Sequence, residues 1–273
     1  MAILDTGMME KIRSYMITVG APLVGFFVAY LLASVLGVSI SKNVKSLLNL
    51  IVTSFFAFHI FPKVRGIPFG KLSASDFLKR LGLYTQENTL RYVILGIILS
   101  ALTLSGMLTG SILSGLYVFD IGTIELSQII FSINPGLWEE LFYRGVLMVL
   151  LLRDTRSLKK AVIIQVTLFA LFHVKGFELW SLVDVFSVSF LAVGFTYTAY
   201  KTRTLIPGII FHFLHDSFVF VVQVSDNVIL SDTQNSVFFL CLWASIGIGV
   251  LVTKHAADKL GVQEKNELYK IGE

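Results

Sequence analysis

The sequence predicts an all-α, polytopic membrane protein, built as a bundle of about eight transmembrane helices. Of its 273 residues, 55% are hydrophobic and only 15% are charged, with a mean hydropathy of +0.78. This leaves too little polar surface to cover a water-soluble domain. The apolar residues also form runs close to the ~20 residues that an α-helix needs to cross a bilayer. We therefore expect residues 1–273 to form a single integral membrane domain.

Eight segments approach the length of a membrane span. The first, residues 14–41, is expected to remain as a span, because Asp5 and Glu10 precede it and its apolar run is longer than that of a cleaved signal. The fifth is short, so we expect it to extend into the region Val174 to Leu179. The remaining segments are 46–62, 92–119, 127–152, 161–174 (the fifth), 180–200, 204–225 and 233–253.

The distribution of Lys and Arg predicts the orientation. Loops 63–91 and 153–160 are rich in basic residues and should be cytoplasmic, which places both termini in the cytoplasm. Apolar and basic residues alternate within 63–91, as in an amphipathic helix in the membrane interface, although a solvated loop has a similar composition. The formal net charge is +4, but the basic residues lie between apolar runs and form no stripe with aromatic residues. Nucleic acid is therefore not expected as a partner, while the lipid bilayer of the cell membrane is.

Two further features are interpreted as packing. Gly106, Gly110 and Ser114 repeat at four-residue spacing in the third segment, which lets another helix approach closely. The single cysteine, Cys241, lies in an apolar run, which excludes an intrachain disulfide and CxxC motifs.

Three of the predicted spans carry ionisable side chains that we regard as candidate site residues. Each acidic or basic residue at the middle of a span costs roughly 2.5 to 3.5 kcal/mol, so such residues indicate a functional site. They are Glu139, Glu140, Arg144, His173, His212 and Asp216.

Helical spacing predicts how these side chains are grouped. Arg144 follows Glu140 by one turn, so the two can neutralise one another, while Glu139 projects about 100° away toward another partner. A purely structural ion-pair cluster is the alternative. His212 and Asp216 share a helix face, whereas His215 joins them or points elsewhere. His59 is interpreted as a hydrogen-bonding residue between helices.

The patterns EExxxR, FxxxH and HxxxD occur here in this order, as Glu139 to Arg144, Phe169 to His173 and His212 to Asp216. They resemble the CAAX protease and bacteriocin-processing family (CPBP), also called the Abi family of intramembrane glutamate proteases. The resemblance covers about residues 126–225, which we regard as the motif-bearing core. The family accepts Asn or Asp at the last position, so Asp216 is no departure from its pattern.

The resemblance implies an endopeptidase that needs neither a cofactor nor a metal. Glu139 would act as general base and hold a water jointly with His173, while His212, with Asp216, would stabilise the oxyanion. Glu140 and Arg144 would support Glu139. The substrate would be a peptide, or the C-terminal segment of a membrane-associated protein, with or without a prenyl group.

Two other classes remain open at this level. Glu and His are also zinc ligands, so a membrane metalloprotease is one alternative, although HExxH is absent. A scaffold, regulator or bacteriocin immunity protein of the same family, which binds a membrane peptide without cutting it, is the other. A transporter is not favoured, because neither inverted repeats nor broken helices in matching halves are found.

Overall fold

The computed structural model describes residues 42–55, 74–80, 82–83, 89–115, 132–221 and 231–260, with the isolated residues 9, 20, 24, 25, 27, 28, 31, 32, 34, 35, 129 and 269. The regular structure within these ranges is helical and contains no strand. The all-α prediction is therefore confirmed. Only nine single residues of the first predicted span are described, and His59 lies outside the described residues.

The chain forms α-helices interrupted by one π-helix, which we call π1. In chain order the helices are α1 (Lys42–Phe55), α2 (Ala74–Arg80), α3 (Thr89–Leu113), α4 (Ile133–Glu139), π1 (Glu140–Leu147), α5 (Met148–Thr155), α6 (Leu158–Leu171), α7 (Leu179–Thr202), α8 (Ile206–Val221) and α9 (Asp232–Leu260).

Three helices, α3, α7 and α9, are long and apolar enough to cross a membrane. Only 39%, 22% and 22% of their most apolar stretches are buried within the protein. The rest of this apolar surface faces outward, where only lipid can cover it without a large hydrophobic penalty. The chain is an integral membrane protein, as predicted.

Within the described residues, the other predicted spans are interrupted or are shorter than a full crossing. Segment 127–152 is helical from Ile133, but it divides into α4, π1 and α5. The described lengths of α1, α6 and α8 are 14, 14 and 16 residues, below the ~20 residues of a full crossing. The count of eight spans and the cytoplasmic placement of the termini stay predictions.

The predicted extension of the fifth span into the region Val174 to Leu179 is wrong. Helix α6 begins at Leu158, where the Ser157 side chain caps the first turn, and ends at Leu171. Residues 172 to 178 form turns and irregular structure before α7 begins. His173 therefore lies just beyond the end of its helix.

The small-residue stripe of α3 is packed against α9, which confirms its interpretation as a packing feature. A methyl group added at Gly106 would lie 2.3 Å from Ser245 Oγ, and one at Gly110 would lie 3.0 Å from the Phe238 backbone. At the end of the stripe, Gln234 Nε2 donates a 2.7 Å hydrogen bond to the Ser114 carbonyl. Helices α3 and α9 can approach this closely because glycine at positions 106 and 110 has no side chain.

Helix α3 also packs against α8. A methyl group at Gly96 would lie 2.7 Å from the Pro207 carbonyl oxygen. The connector before α3 then reaches the beginning of α8, because the Gly82 carbonyl accepts hydrogen bonds from Thr204 Oγ1 (2.7 Å) and from the Leu205 amide (2.8 Å). Part of the predicted amphipathic connector is thus helical, as α2. The turn after α2 is hydrogen-bonded to the residues that precede α8.

We expect Gly106→Ala to destabilise the fold by about 1–3 kcal/mol, because the added methyl group overpacks the contact with Ser245 and with the Cys241 carbonyl. Gly247→Ala is the matched control, since nothing lies within 4 Å of a methyl group there and alanine favours a helix by about 1 kcal/mol. Thermal unfolding in detergent measures both. Equal melting temperatures for the two variants would contradict the packing argument.

Candidate active site

The two adjacent glutamates lie where an α-helix passes into the π-helix. Glu139 is the last residue of α4 and Glu140 is the first of π1. A π-helix uses i→i+5 hydrogen bonds, is rare, and occurs mostly as short segments at functional sites. All eight residues of π1 are buried, in contact with α1, α4, α5, α6 and α7. The buried π-helix thus carries Glu140 and Arg144, and Glu139 directly precedes it.

Arg144 is held from several sides, and its predicted pairing with Glu140 is confirmed. Arg144 Nη1 donates to Glu140 Oε1 at 3.1 Å, and both side chains are fully buried. The guanidinium carbon lies 4.5 Å from the ring centre of Phe169 and 5.1 Å from that of Phe195. Cation–π attraction of this kind strengthens when water is excluded. The positive charge is therefore shared between a carboxylate and two aromatic rings.

His212 is the point at which the acidic side chains meet. Its Nδ1 lies 3.3 Å from Glu140 Oε1, and its Nε2 lies 3.6 Å from Glu139 Oε2. The same Nε2 is 3.7 Å from Asp216 Oδ2, one turn further along α8. An ionised carboxylate only accepts hydrogen bonds, so Nδ1 is the donor to Glu140. The predicted shared face of His212 and Asp216 is confirmed, and Glu139 has its separate partner.

Glycines bring the helices close enough for these contacts. A methyl group at Gly208 would lie 2.8 Å from Glu140 Oε2, so this glycine makes room for the carboxylate. A methyl group at Gly136 would lie 3.2 Å from the Phe213 amide nitrogen and 3.3 Å from the Ile209 carbonyl oxygen. Helix α8 can therefore lie directly against the beginning of the acidic segment.

His173 is placed beside this cluster and not within it. Its Nδ1 lies 2.8 Å from the Phe169 carbonyl oxygen, and its ring centre lies 4.5 Å from that of Phe169. In the neutral ring, Nδ1–H therefore donates to this carbonyl and Nε2 carries the lone pair. Among the described contacts, none joins His173 to Glu139 by a hydrogen bond or an ion pair.

Aromatic rings connect the two histidines. The Phe169 ring lies between His173 and Arg144, and the Phe195 ring lies between Arg144 and His212. The ring centres of Phe195 and His212 are 5.1 Å apart and nearly parallel. Both histidines are thus oriented by rings that also contact the same guanidinium group.

Unlike His212, His215 makes no hydrogen bond or ion pair to the acidic side chains among the described contacts. Its ring packs edge-on against Phe211, with ring centres 5.9 Å apart. Its Nδ1 is buried and has no hydrogen-bond partner in the described part of the chain. His215 is therefore not part of the acidic cluster.

The cluster opens on the side of Asp216. The Asp216 side chain is 24% exposed and that of Glu139 is 11% exposed, whereas Glu140 and Arg144 are fully enclosed. Glu139 and Asp216 are therefore the acidic side chains of the cluster that retain some exposed surface. Among the described residues, no group of three or more His, Cys, Asp and Glu side chains has the arrangement of a metal site.

Sequence reasoning missed the residues that hold this site in place. Phe195 lies in an apolar helix and gives no signal of a contact with a buried charge. Gly208 has a signal, because it precedes His212 by four residues and shares its helix face. The π-helix itself has no recognisable sequence pattern.

Comparison with known proteins finds a family model that matches part of the chain. Residues 123–218 match the family model described as type II CAAX prenyl endopeptidase Rce1-like. Over this range the match confirms the resemblance that the three motifs indicated, and all six predicted site residues lie within it. No curated protein and no solved structure matches the chain.

We expect Arg144→Ala to lower folded yield and thermal stability, by about 3–5 kcal/mol, because it leaves Glu140 as an unpaired buried charge. The control is the double variant Glu140→Gln, Arg144→Met, which leaves neither charge alone and should lose less stability than Arg144→Ala. Detergent-solubilised yield and thermal unfolding measure both. Parent-like stability of Arg144→Ala would refute the pairing.

Proposed function

We propose that this protein is an intramembrane endopeptidase of the glutamate type, which hydrolyses a peptide bond near the C-terminus of a membrane-associated substrate. The observation that carries the proposal is the buried contact of His212 with Glu139 and Asp216, beside the Glu140–Arg144 pair. The family match supports a CAAX-type endopeptidase. The catalytic core is residues 126–225 within one membrane domain, located in the cell membrane.

Glu139 is the proposed general base. It takes a proton from a water molecule while the lone pair of His173 Nε2 helps to hold that water, and the resulting hydroxide attacks the peptide carbonyl. A positioned base of this kind contributes about 10²- to 10⁴-fold to the rate. Partial exposure of Glu139 supports the role, because a water can reach it from the Asp216 side.

His212 and Asp216 are proposed to act on the oxygen of the substrate. The Nδ1–H group of His212 is directed at Glu140. When His212 is an imidazolium, its Nε2–H group can donate a hydrogen bond to the developing oxyanion on the open side. Asp216 orients the ring through the same nitrogen. The proton held by Glu139 then passes to the leaving amine, so no acyl-enzyme forms and no cofactor takes part.

Glu140 and Arg144 are proposed to support this site. Their pair fixes one end of the His212 hydrogen bond, since Glu140 Oε1 accepts from both Arg144 and His212. Their complete burial argues against direct contact with substrate.

The substrate class includes peptides that carry a prenyl group. An apolar groove of about 360 Å³ lies between α3 and α8, with Ile97, Leu104, Leu214 and Phe218 among its lining residues. Apolar grooves between helices suit hydrocarbon chains. This groove supports a lipid-modified substrate.

The test of the function is a cleavage assay with Glu139→Gln as the decisive variant. Purified protein is incubated with a CAAX-type peptide, once prenylated and once unprenylated, and products are identified by mass. The parent should release the C-terminal fragment, and Glu139→Gln should lose about 100-fold or more of the activity, because it keeps the shape and removes the base.

The control variant in this assay is His215→Leu, which alters a buried imidazole outside the cluster and should keep cleaving. Substantial turnover by a folded Glu139→Gln variant would indicate that Glu140, and not Glu139, is the general base. Absence of cleavage of both peptides by the parent would refute the proposed substrate class.

We expect cleavage to survive exhaustive chelation, because the proposed chemistry uses only side chains and water. The measurement is activity after dialysis against a strong chelator, together with metal analysis of the active sample. Loss of activity on chelation, with recovery on adding Zn²⁺, would establish the metalloprotease alternative instead.

A further inference from the structure

Tyr269 contacts the helix that carries the site, although it lies 125 positions after Arg144 in the sequence. Its hydroxyl donates a 2.7 Å hydrogen bond to the Arg144 carbonyl oxygen. Burial raises the pKa of this hydroxyl above its usual value, and the nearby Glu140 carboxylate raises it further. The hydroxyl therefore keeps its proton and remains a donor.

The accepting carbonyl is unusual because of where it lies in the helix. At the end of π1, the Met148 amide bonds five residues back, to the Tyr143 carbonyl. In α5 the amides bond four residues back, so the next amide along the chain, that of Val149, passes over Arg144 and reaches Gly145. A junction from π- to α-helix thus leaves one carbonyl without an intrahelical partner. A buried carbonyl needs a substitute donor, and Tyr269 supplies it.

The Tyr269 ring is held by the elements on either side of this junction. It packs against the cluster of Ala199 and Leu205, directly before α8, and Val149 of α5 packs against the same cluster. It also lies against Tyr200 near the end of α7, with ring centres 6.2 Å apart. Packing against residues near the end of α7 and the beginning of α8 therefore holds the Tyr269 ring, and the ring directs its hydroxyl toward the Arg144 carbonyl.

We propose that Tyr269 is a positioning residue for the catalytic glutamate. By bonding the Arg144 carbonyl, it stabilises the change from π- to α-helical hydrogen bonding and so sets the rotation of Glu139 and Glu140 relative to α5. This rests on the proposed endopeptidase function. Tyr269 touches neither the reacting atoms nor the acidic cluster, and it acts through the backbone of Arg144.

The test is Tyr269→Phe, which removes the hydroxyl and keeps the ring. We expect kcat to fall about fivefold with KM within about twofold, since the lost hydrogen bond is worth about 1 kcal/mol, which corresponds to about fivefold in rate, and acts only on geometry. Amide hydrogen exchange should accelerate in residues 140–152 and stay unchanged in α3. Tyr200→Phe is the matched control, because it removes the hydroxyl of the adjacent ring and keeps the bond to Arg144.

The outcomes separate this inference from the function on which it rests. Parent-like kcat, or accelerated exchange spread over all helices, overturns the positioning role. Equal effects of Tyr200→Phe and Tyr269→Phe also overturn it. A parent that cleaves no peptide refutes the proposed function, and the exchange comparison then still decides whether Tyr269 holds the π-helix.

Discussion

The buried ion pair of Glu140 and Arg144 is the interaction on which the rest of the site depends. Two charges removed from water cost several kcal/mol each, and only good geometry and further hydrogen bonds repay that cost. Here Arg144 contacts two aromatic rings and the Ala192 carbonyl, and Glu140 accepts from both Arg144 and His212. The pair therefore determines where His212 and the two phenylalanines can lie. Glu139 and Asp216 approach the other nitrogen of an imidazole that is already oriented.

The low dielectric of the buried site makes the energy of the charged cluster sensitive to its geometry. Charges that water does not screen interact strongly over several ångströms, so small displacements of a helix change the energy of the whole cluster. Close helix contacts at Gly136 and Gly208 keep such displacements small. The same surroundings exclude bulk water from the Glu140–Arg144 pair, while Asp216 keeps 24% of its side chain exposed.

The local pairings were predictable and the placement of His173 was not. Glu140 with Arg144, and His212 with Asp216, are each one turn apart, so helical spacing alone predicts the contacts. Glu139 was expected to find a partner on another helix, and His212 is that partner. His173 was expected inside a span beside Glu139, but α6 ends at Leu171 because the chain turns there. Its contact with the cluster runs through Phe169, and tertiary packing of this kind leaves no periodic trace in a sequence.

The number of residues in the π-helix has a consequence for comparing related chains. Each π-type hydrogen bond takes in one more residue than an α-type bond, so the rotation between Glu139 and Met148 depends on how many residues lie between them. A relative that lacked a single residue after its arginine would keep every motif letter. Its helix would keep α-helical hydrogen bonds throughout, and its first glutamate would be rotated relative to the following helix. Segment length in this part of the chain is therefore as informative about activity as the identity of the acidic and basic residues.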